Sequence, residues 1–308
     1  MRVSVLTVSD YSFPGGWTST TEISGRSGWY CEQLERGEIL YFAQPPFPLP
    51  AEDREFLLGL RSKLSSVHKN VSYRPVSGVL GGFPSSDPQF PRLVSILRTY
   101  SAQVVNFLGD FLRPYANHWA LDYASFRPVE EEGRDLPLHK RNDLLHVDAF
   151  PSRPTRGGRI LRVFTNIHGS KTRVWNTGDR FPDLAKKLAD GAGLKRFASG
   201  GDTLGARVRK VLHRAGLPIP DRSAYDSFML HFHDYLKENS TFQSECEKIR
   251  TEFPPMSTWL VFTDGVPHAV LAGQHALEQT FIIPVDALVC AEQAPIRVLE
   301  SLCGRALA

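Results

Sequence analysis

Two periodicities alternate along this chain. Residues 51–68 (AEDREFLLGLRSKLSSVH) carry apolar positions at helical spacing, with acidic residues in the first turn, and predict an amphipathic helix. Residues 91–113 predict another, with Leu93, Ile96, Leu97, Val104, Leu108 and Leu112 on one stripe. Period-2 signals begin at 118–129 (HWALDYASFRPV) and continue through the short run 145–150 (LHVDAF), which Pro151 stops. They go on in 159–169 (RILRVFTNIHG), where Arg162, Phe164 and Asn166 share one face against Leu161, Val163 and Thr165 on the other. Helical patterns fill about 180–250. Strand patterns then return at 257–265, 267–273 and 277–285, and the turn AGQHA predicts that the last two form a hairpin. Upstream, residues 1–50 are rich in Gly, Pro, Ser and aromatics, with one strand in GEILYFAQPPFPLP. A run of strands, a helical insertion and more strands predicts a mainly β protein with α: a double-stranded β-helix (jelly-roll, cupin-like) core with helices packed outside. The expected division is an N-terminal β/helical region, 1–114, packing on a core of 115–308 within one globular unit.

Composition narrows the function classes. The chain has 308 residues, 42% hydrophobic, with a net charge of +3, too mild to point to nucleic acid. Its four cysteines are scattered without a C-x-x-C pair, which argues against a disulfide framework or a zinc knuckle and fits a reducing compartment. The N-terminus lacks a signal-peptide pattern, and no run of 18 apolar residues occurs, so the expected location is cytoplasmic. P-loop, G-x-S-x-G and H-E-x-x-H patterns are missing from the sequence, as are internal repeats.

The run LHVDAF places His146 and Asp148 two residues apart. On a strand, such a pair points to one face, roughly 6.5 Å apart along the chain; on a helix it would diverge by about 200°. By itself His-x-Asp is weak, since a buried His satisfied by a neighbouring Asp gives the same letters. A third donor, His268 in TDGVPHAVLAG, opens a late strand. Two His and one carboxylate are the facial triad of non-haem Fe(II) oxygenases. An enzyme of that kind using 2-oxoglutarate also needs a buried cation for the distal carboxylate. The window about ten residues after His268 reads LEQTF and has none. Arg162, 14 residues past Asp148 on an apolar strand, is the expected cation, because a buried unpaired charge is costly and a guanidinium suits a carboxylate. Arg127, closing YASFRP, is the reserve, and Asn166 shares the Arg162 face. Other histidines compete. His231 and His233 in HFHDY fall on a helix without sharing a face and are expected to be structural or on the surface. His168 is expected as a polar strand end, His275 as exposed in the hairpin turn, and Asp264 as a turn cap.

Four blocks together, LLHVDAFPSRPTRGGRILRVFTNI, YDSFMLHFHDYLKEN, FPPMSTWLVFTDGVPHAVLAGQHALEQTFIIP and APIRVLESLCG, resemble the bacterial Kdo (3-deoxy-D-manno-octulosonic acid) hydroxylases, Fe(II)/2-oxoglutarate-dependent dioxygenases. The resemblance is strong over about 120–300. It implies Fe(II) as cofactor, 2-oxoglutarate and O2 as cosubstrates, and His146, Asp148 and His268 at the metal positions. It implies as substrate the Kdo of the lipid A-linked lipopolysaccharide inner core, and as product the 3-hydroxylated sugar Ko. No obligate protein partner is implied. Residues 186–214 carry Lys186, Lys187, Lys195, Arg196, Arg207, Arg209, Lys210 and Arg214 against Asp190 and Asp202. That stretch is either a solvated helical face or a basic surface meeting an anionic membrane at its cytoplasmic side. Two rival readings stand beside the resemblance: a 2-oxoglutarate oxygenase acting on a protein or amino acid, and a non-catalytic sugar-binding β-barrel.

Overall fold

The computed structural model describes residues 2–11, 20–60, 70–199 and 221–308. In chain order its strands are β1 (Val5–Thr7), β2 (Ile39–Phe42), β3 (Val71–Arg74), β4 (Val79–Gly81), β5 (Ala120–Arg127), β6 (Arg159–Asn166), β7 (Arg173–Thr177), β8 (Ile249–Phe253), β9 (Thr258–Phe262), β10 (His268–Ala272) and β11 (Ala276–Ile283). Eight make a sheet in the order β1-β2-β9-β6-β11-β5-β3-β4, and three make a second, β10-β7-β8. Among the described residues only β1 and β2 pair in parallel. The architecture is mainly β with helices and a jelly-roll-like core, and the two sheets do not close into a continuous barrel among the described residues.

Alternation along the strands sets the layers. From β6, Leu161 and Val163 point into a cluster with Leu97, Val104, Leu108 and Phe111 of the helix Phe90–Phe111, on the outer face of the large sheet. Leu34 of the helix Thr20–Glu35 and Leu57 of the helix Ala51–Gly59 join that cluster. The opposite face of β6 presents Phe164 to Trp175, Phe253, Trp259 and Val270, which fill the space between the sheets. Phe253 and Trp259 stack with centroids 3.9 Å apart, and Trp175 meets Trp259 edge-on. Each fully buried side chain of this size contributes about 1.5–3 kcal/mol. A third cluster joins Val147 to Phe181 and Leu184 (helix Phe181–Leu188), Phe228 and Phe232 (helix Ala224–Glu238), and Ile296 and Leu299 (helix Pro295–Cys303). The helix Ala224–Glu238 starts with a capping box between Ser223 and Asp226. Asp226 also accepts the Thr155 and Arg156 amides at 2.8 and 3.0 Å, which fixes the chain after Phe150 against this helix.

Several expectations change. The predicted hairpin does not form: β10 pairs with β7, whereas β11 pairs with β5 and β6 in the other sheet. The turn carries the chain across the sandwich because Gly273 (φ 125°) and His275 (φ 53°) take left-handed conformations. A side chain at Gly273 would come within 2.7–2.9 Å of Arg173, whose Nη1 donates to the Gly273 carbonyl. His275 is therefore buried, at 4% exposure, not an exposed turn residue. Residues 145–150 are not a strand; only His146 makes a bridge there. Asp264 does not cap a turn; it is buried in an ion pair with Arg159 at 2.8 Å and accepts the Ile160 amide at 3.1 Å. Of the predicted helix 51–68, Ala51–Gly59 is helical, and 61–69 lie outside the described residues. Strands β1, β3, β4, β7 and β8 have no counterpart in the predicted elements.

Candidate active site

Backbone pairing brings the two halves of the site together. The His146 amide donates to the His268 carbonyl at 3.1 Å, and the His268 amide donates back at 2.9 Å. One reciprocal bridge thus does what the predicted strand was expected to do. Further bonds hold the run beside β10: Val270 donates to the Asn142 carbonyl at 2.7 Å, Asp148 donates to the Thr263 carbonyl at 2.8 Å, and Leu145 exchanges both its backbone bonds with the Gln243 amide. The imidazoles of His146 and His268 lie 4.7 Å apart, centroid to centroid. In each ring Nδ1 meets a backbone carbonyl, Leu144 at 2.8 Å and Val266 at 2.9 Å, which leaves Nε2 facing inward. His146 Nε2 is 3.9 Å from Asp148 Oδ1, and His268 Nε2 is 4.0 Å from Asp148 Oδ2. Trp175 stacks on the other face of His268 at 5.1 Å.

The charges around this point explain its protonation. Burial pushes both imidazoles below the ordinary histidine range, and for His146 the neighbouring His268 adds to that effect. Both are thus neutral at neutral pH, the form in which a histidine binds a metal. Burial alone would raise the Asp148 carboxyl; the Arg162 guanidinium 3.2 Å away, then His268 and His146, more than offset it and hold the group well below the carboxylate range. Among the described residues the buried Asp148 Oδ2 makes no hydrogen bond, although it faces the Arg162 guanidinium at 3.2 Å. A carboxylate flanked on its two oxygens by inward-facing imidazole nitrogens fits a divalent cation.

A cavity of about 540 Å³ opens beside these groups. Its strand-built wall carries Arg127, Arg162 and Arg173 with Phe164 and Trp175. Arg162 contacts Glu278 at 3.1 Å, Arg127 contacts Glu278 at 2.5 Å, and Arg173 lies 3.7 Å from Glu131. Burial would raise Glu278, but Arg127 and Arg162 bring it below the usual carboxylate range. Burial lowers Arg173 to about 10 despite Glu131. Among the described residues the Nε atoms of Arg162 and Arg173 and the indole Nε1 of Trp175 are buried without a hydrogen-bond acceptor. Such a group of unused donors fits a small dicarboxylate.

Arg162 and its reserve Arg127 both face the cavity, whereas Asn166 does not line it. The Asn166 amide donates to the Lys171 and Phe253 carbonyls, and its oxygen accepts the His168 amide, so this side chain clamps the end of β6. His168 sits just past that strand, accepting the Ser170 and Lys171 amides. His231 stacks on Phe197, away from the cavity. His233 departs from expectation. Its ring lies 4.9 Å from that of His146, its Nδ1 meets the Val147 carbonyl at 2.8 Å, and one donor atom from each of His146, Asp148 and His233 lies within 4.8 Å of the others. We favour His268 over His233 as third donor because His146 and His268 bracket the two oxygens of Asp148 and are joined through their backbones. Arg173, Trp175, Glu278 and Lys237 were also missed. Arg173 and Trp175 alternate with Val174 in TRVWNT, a period-2 signal, but the strand it marks went unassigned.

A His-x-Asp pair and a distant histidine converging beside buried arginines is the arrangement of a non-haem Fe(II) oxygenase. Residues 17–306 match the model of the 3-deoxy-D-manno-oct-2-ulosonic acid (Kdo) hydroxylase family. The chain belongs to that family. It is similar to the crystal structure of the Kdo hydroxylase KdoO, a non-heme Fe(II) α-ketoglutarate-dependent dioxygenase, in complex with α-ketoglutarate and Fe(III): 35% identity, TM-score 0.81, covering 99% of this chain and 97% of that one. The apo structure of KdoO matches with TM-score 0.82 at the same identity and coverage, and the cobalt(II) complex with TM-score 0.82 over 98% of this chain. No curated protein sequence matches. The readings as a protein or amino-acid oxygenase and as a non-catalytic barrel give way to the family.

Proposed function

We propose that this chain is an Fe(II)/2-oxoglutarate-dependent dioxygenase that hydroxylates C3 of Kdo in the lipid A-linked inner core, giving Ko. The observation that carries the reading is the convergence of His146, Asp148 and His268 beside a cavity that Arg162, Arg127 and Arg173 also line. Kinship with KdoO over nearly the whole chain supports it. The substrate's own chemistry favours C3, because a 3-deoxy sugar has its methylene there and an inserted oxygen turns it into the carbinol of Ko.

His146, Asp148 and His268 would hold the iron, which when bound supplies O2 activation for breaking an unactivated C–H bond. The remaining work belongs to the chain. Arg162, with Arg127 beside it, would pair with the distal carboxylate of 2-oxoglutarate. Glu278 keeps those guanidiniums aimed in the absence of a ligand. The Nδ1 bonds of His146 and His268 fix which ring nitrogen faces the metal. Phe164 and Trp175 make that wall apolar around its charges, which limits access of water.

The glycolipid is anchored in a membrane. No helix among the described residues is long and apolar enough to cross one. We infer peripheral contact with the cytoplasmic face through Lys186, Lys187, Lys195 and Arg196, all exposed. The other basic residues of this stretch, Arg207, Arg209, Lys210 and Arg214, lie outside the described residues. Incubation of the protein with Kdo–lipid A, Fe(II) and 2-oxoglutarate tests the reading. Expected are succinate formation and a gain of about 16 Da on Kdo, one inserted oxygen. Succinate released only with protein extracts would overturn it.

A further inference from the structure

The helical wall of the cavity carries a charge for which the chemistry above gives no use. Lys237 lines the cavity on the last turn of the helix Ala224–Glu238, four residues after His233 and so on the same face. It is only 4% exposed. Its ammonium donates to the His139 carbonyl at 3.0 Å and makes no ion pair among the described residues. An ammonium has three protons to donate, and burying one without an anion costs several kcal/mol.

Charge balance shows what is missing. On the strand wall, Arg127, Arg162 and Arg173 face Glu131, Glu278 and Asp148, three positive charges against three negative. A divalent cation and a doubly negative 2-oxo diacid would cancel each other. Lys237 is then a buried positive charge without an ion pair of its own, the carboxylates of Asp148, Asp234 and Asp143 acting on it from beyond contact distance; Arg134, paired with Glu131 at 3.4 Å, and Lys140 lie toward the rim. An ulosonic acid brings one carboxylate, at C1. Its C3 methylene lies two bonds from that carbon. His233, one turn back on the same helix, touches His146. Lys237, His146, Asp148 and His268 line the same cavity, so a sugar whose carboxylate sits at Lys237 can present its C3, two bonds away, to the metal donors.

We propose that Lys237 is the receptor for the C1 carboxylate of the sugar and thereby a positioning residue for hydroxylation at C3. This rests on the proposed function, and the test separates the two. Wild type, Lys237→Met and Lys237→Arg are assayed on the Kdo glycolipid and on its C1 carboxamide, with KM and hydroxylated product measured for each. Co(II) titration and thermal unfolding check that the variants retain the fold. The expected result is a rise in sugar KM of roughly 10- to 150-fold for Lys237→Met, the range of a hydrogen bond to a charged group. The apparent KM for 2-oxoglutarate should stay within about twofold, and Lys237→Arg should recover part of the loss. Wild type should lose a similar factor on the carboxamide, and Lys237→Met should lose little more when the carboxylate is also gone, because the two changes remove one interaction. Independent, multiplying losses, or a loss in Lys237→Met equally large on both substrates, would overturn the proposal while leaving Kdo hydroxylation intact. Absence of hydroxylated sugar from wild type itself would overturn the proposed function and this inference with it.

Discussion

The two walls of the cavity are built by different means. The strand wall places Arg162 by a ladder on both sides, opposite Thr280 on β11 and Val261 on β9. Arg127 and Glu278 sit on neighbouring strands of that sheet, and Arg173 opposes Phe253 on β8 in the other. Each charge is thus tied to backbone register and to a partner of opposite sign. The helical wall places His233 and Lys237 through the apolar docking of Phe228, Phe232 and Leu236, with bonds to two loop carbonyls. The difference teaches where specificity can change. A cosubstrate common to a large chemistry needs the rigid, compensated wall. The helical wall can shift or exchange residues without unravelling a sheet, and it suits recognition of one particular sugar.

Metal binding is the sharpest way to break this comparison, and the largest expected effect. His146→Ala, Asp148→Ala or His268→Ala should abolish turnover. Co(II) affinity should fall by more than the 10–100-fold typical of losing an outer partner of a ligand. His233→Ala should lose far less. A greater metal loss in His233→Ala than in His268→Ala would move the third ligand to the helix and make both walls part of the metal site.

Next in size is the strand wall itself. Arg162→Lys should raise the 2-oxoglutarate KM roughly 10- to 150-fold with metal binding retained, since an ammonium cannot replace the planar fork. If Arg127→Lys shows that signature and Arg162→Lys does not, the distal carboxylate belongs to Arg127. Equal effects would mean that both share it through Glu278.

These two walls were also unequally legible. The period-2 pattern of RILRVFTN put Arg162 opposite Leu161 and Val163, and it lines the cavity, because a buried strand leaves its side chains only two directions. The long helix at Phe90–Phe111 could be read for a similar reason, local pattern, and ligand chemistry singled out His146, Asp148 and His268, which the structure brings together. His233 could not. Periodicity said correctly that it and His231 diverge, but which of the two faces the core depends on docking against Val147, a tertiary fact. The false hairpin has the same origin: AGQHA reads as a tight turn, and only the close approach of Gly273 to Arg173 sends the chain to the other sheet. Asn166 shares the Arg162 face but spends its side chain on backbone groups, because alternation gives a face, not a partner.

Asn166 supplies a smaller test. Its three bonds to backbone make it part of the strand wall's support, so Asn166→Ala should cost about 1–3 kcal/mol of stability, the penalty for leaving buried backbone groups unpaired. Chemical denaturation measures it. The 2-oxoglutarate KM of the variant should match wild type; a clear rise would return Asn166 to the cosubstrate site.

The smallest effect is expected outside both walls, on the exposed basic face. Lys187 pairs with Asp179 at 2.5 Å and Lys195 with Asp190 at 3.1 Å, and Arg196 lies over the Phe197 ring. Two of the four charges are thus partly neutralised within the protein, and Lys186 and Arg196 carry most of the free attraction. Near an anionic surface each basic residue contributes about 1 kcal/mol, and salt weakens it within a Debye length of about 8–10 Å. Replacing Lys186, Lys187, Lys195 and Arg196 together by Gln should therefore reduce co-sedimentation with anionic vesicles. It should slow turnover of vesicle-borne Kdo glycolipid more than turnover of a soluble Kdo analogue, with the gap closing as salt rises. The cavity walls see the same sugar in both assays, so equal slowing on both substrates would place the effect in the fold or the site. No slowing on either would leave these residues as a solvated face, and membrane contact would have to come from elsewhere on the molecule.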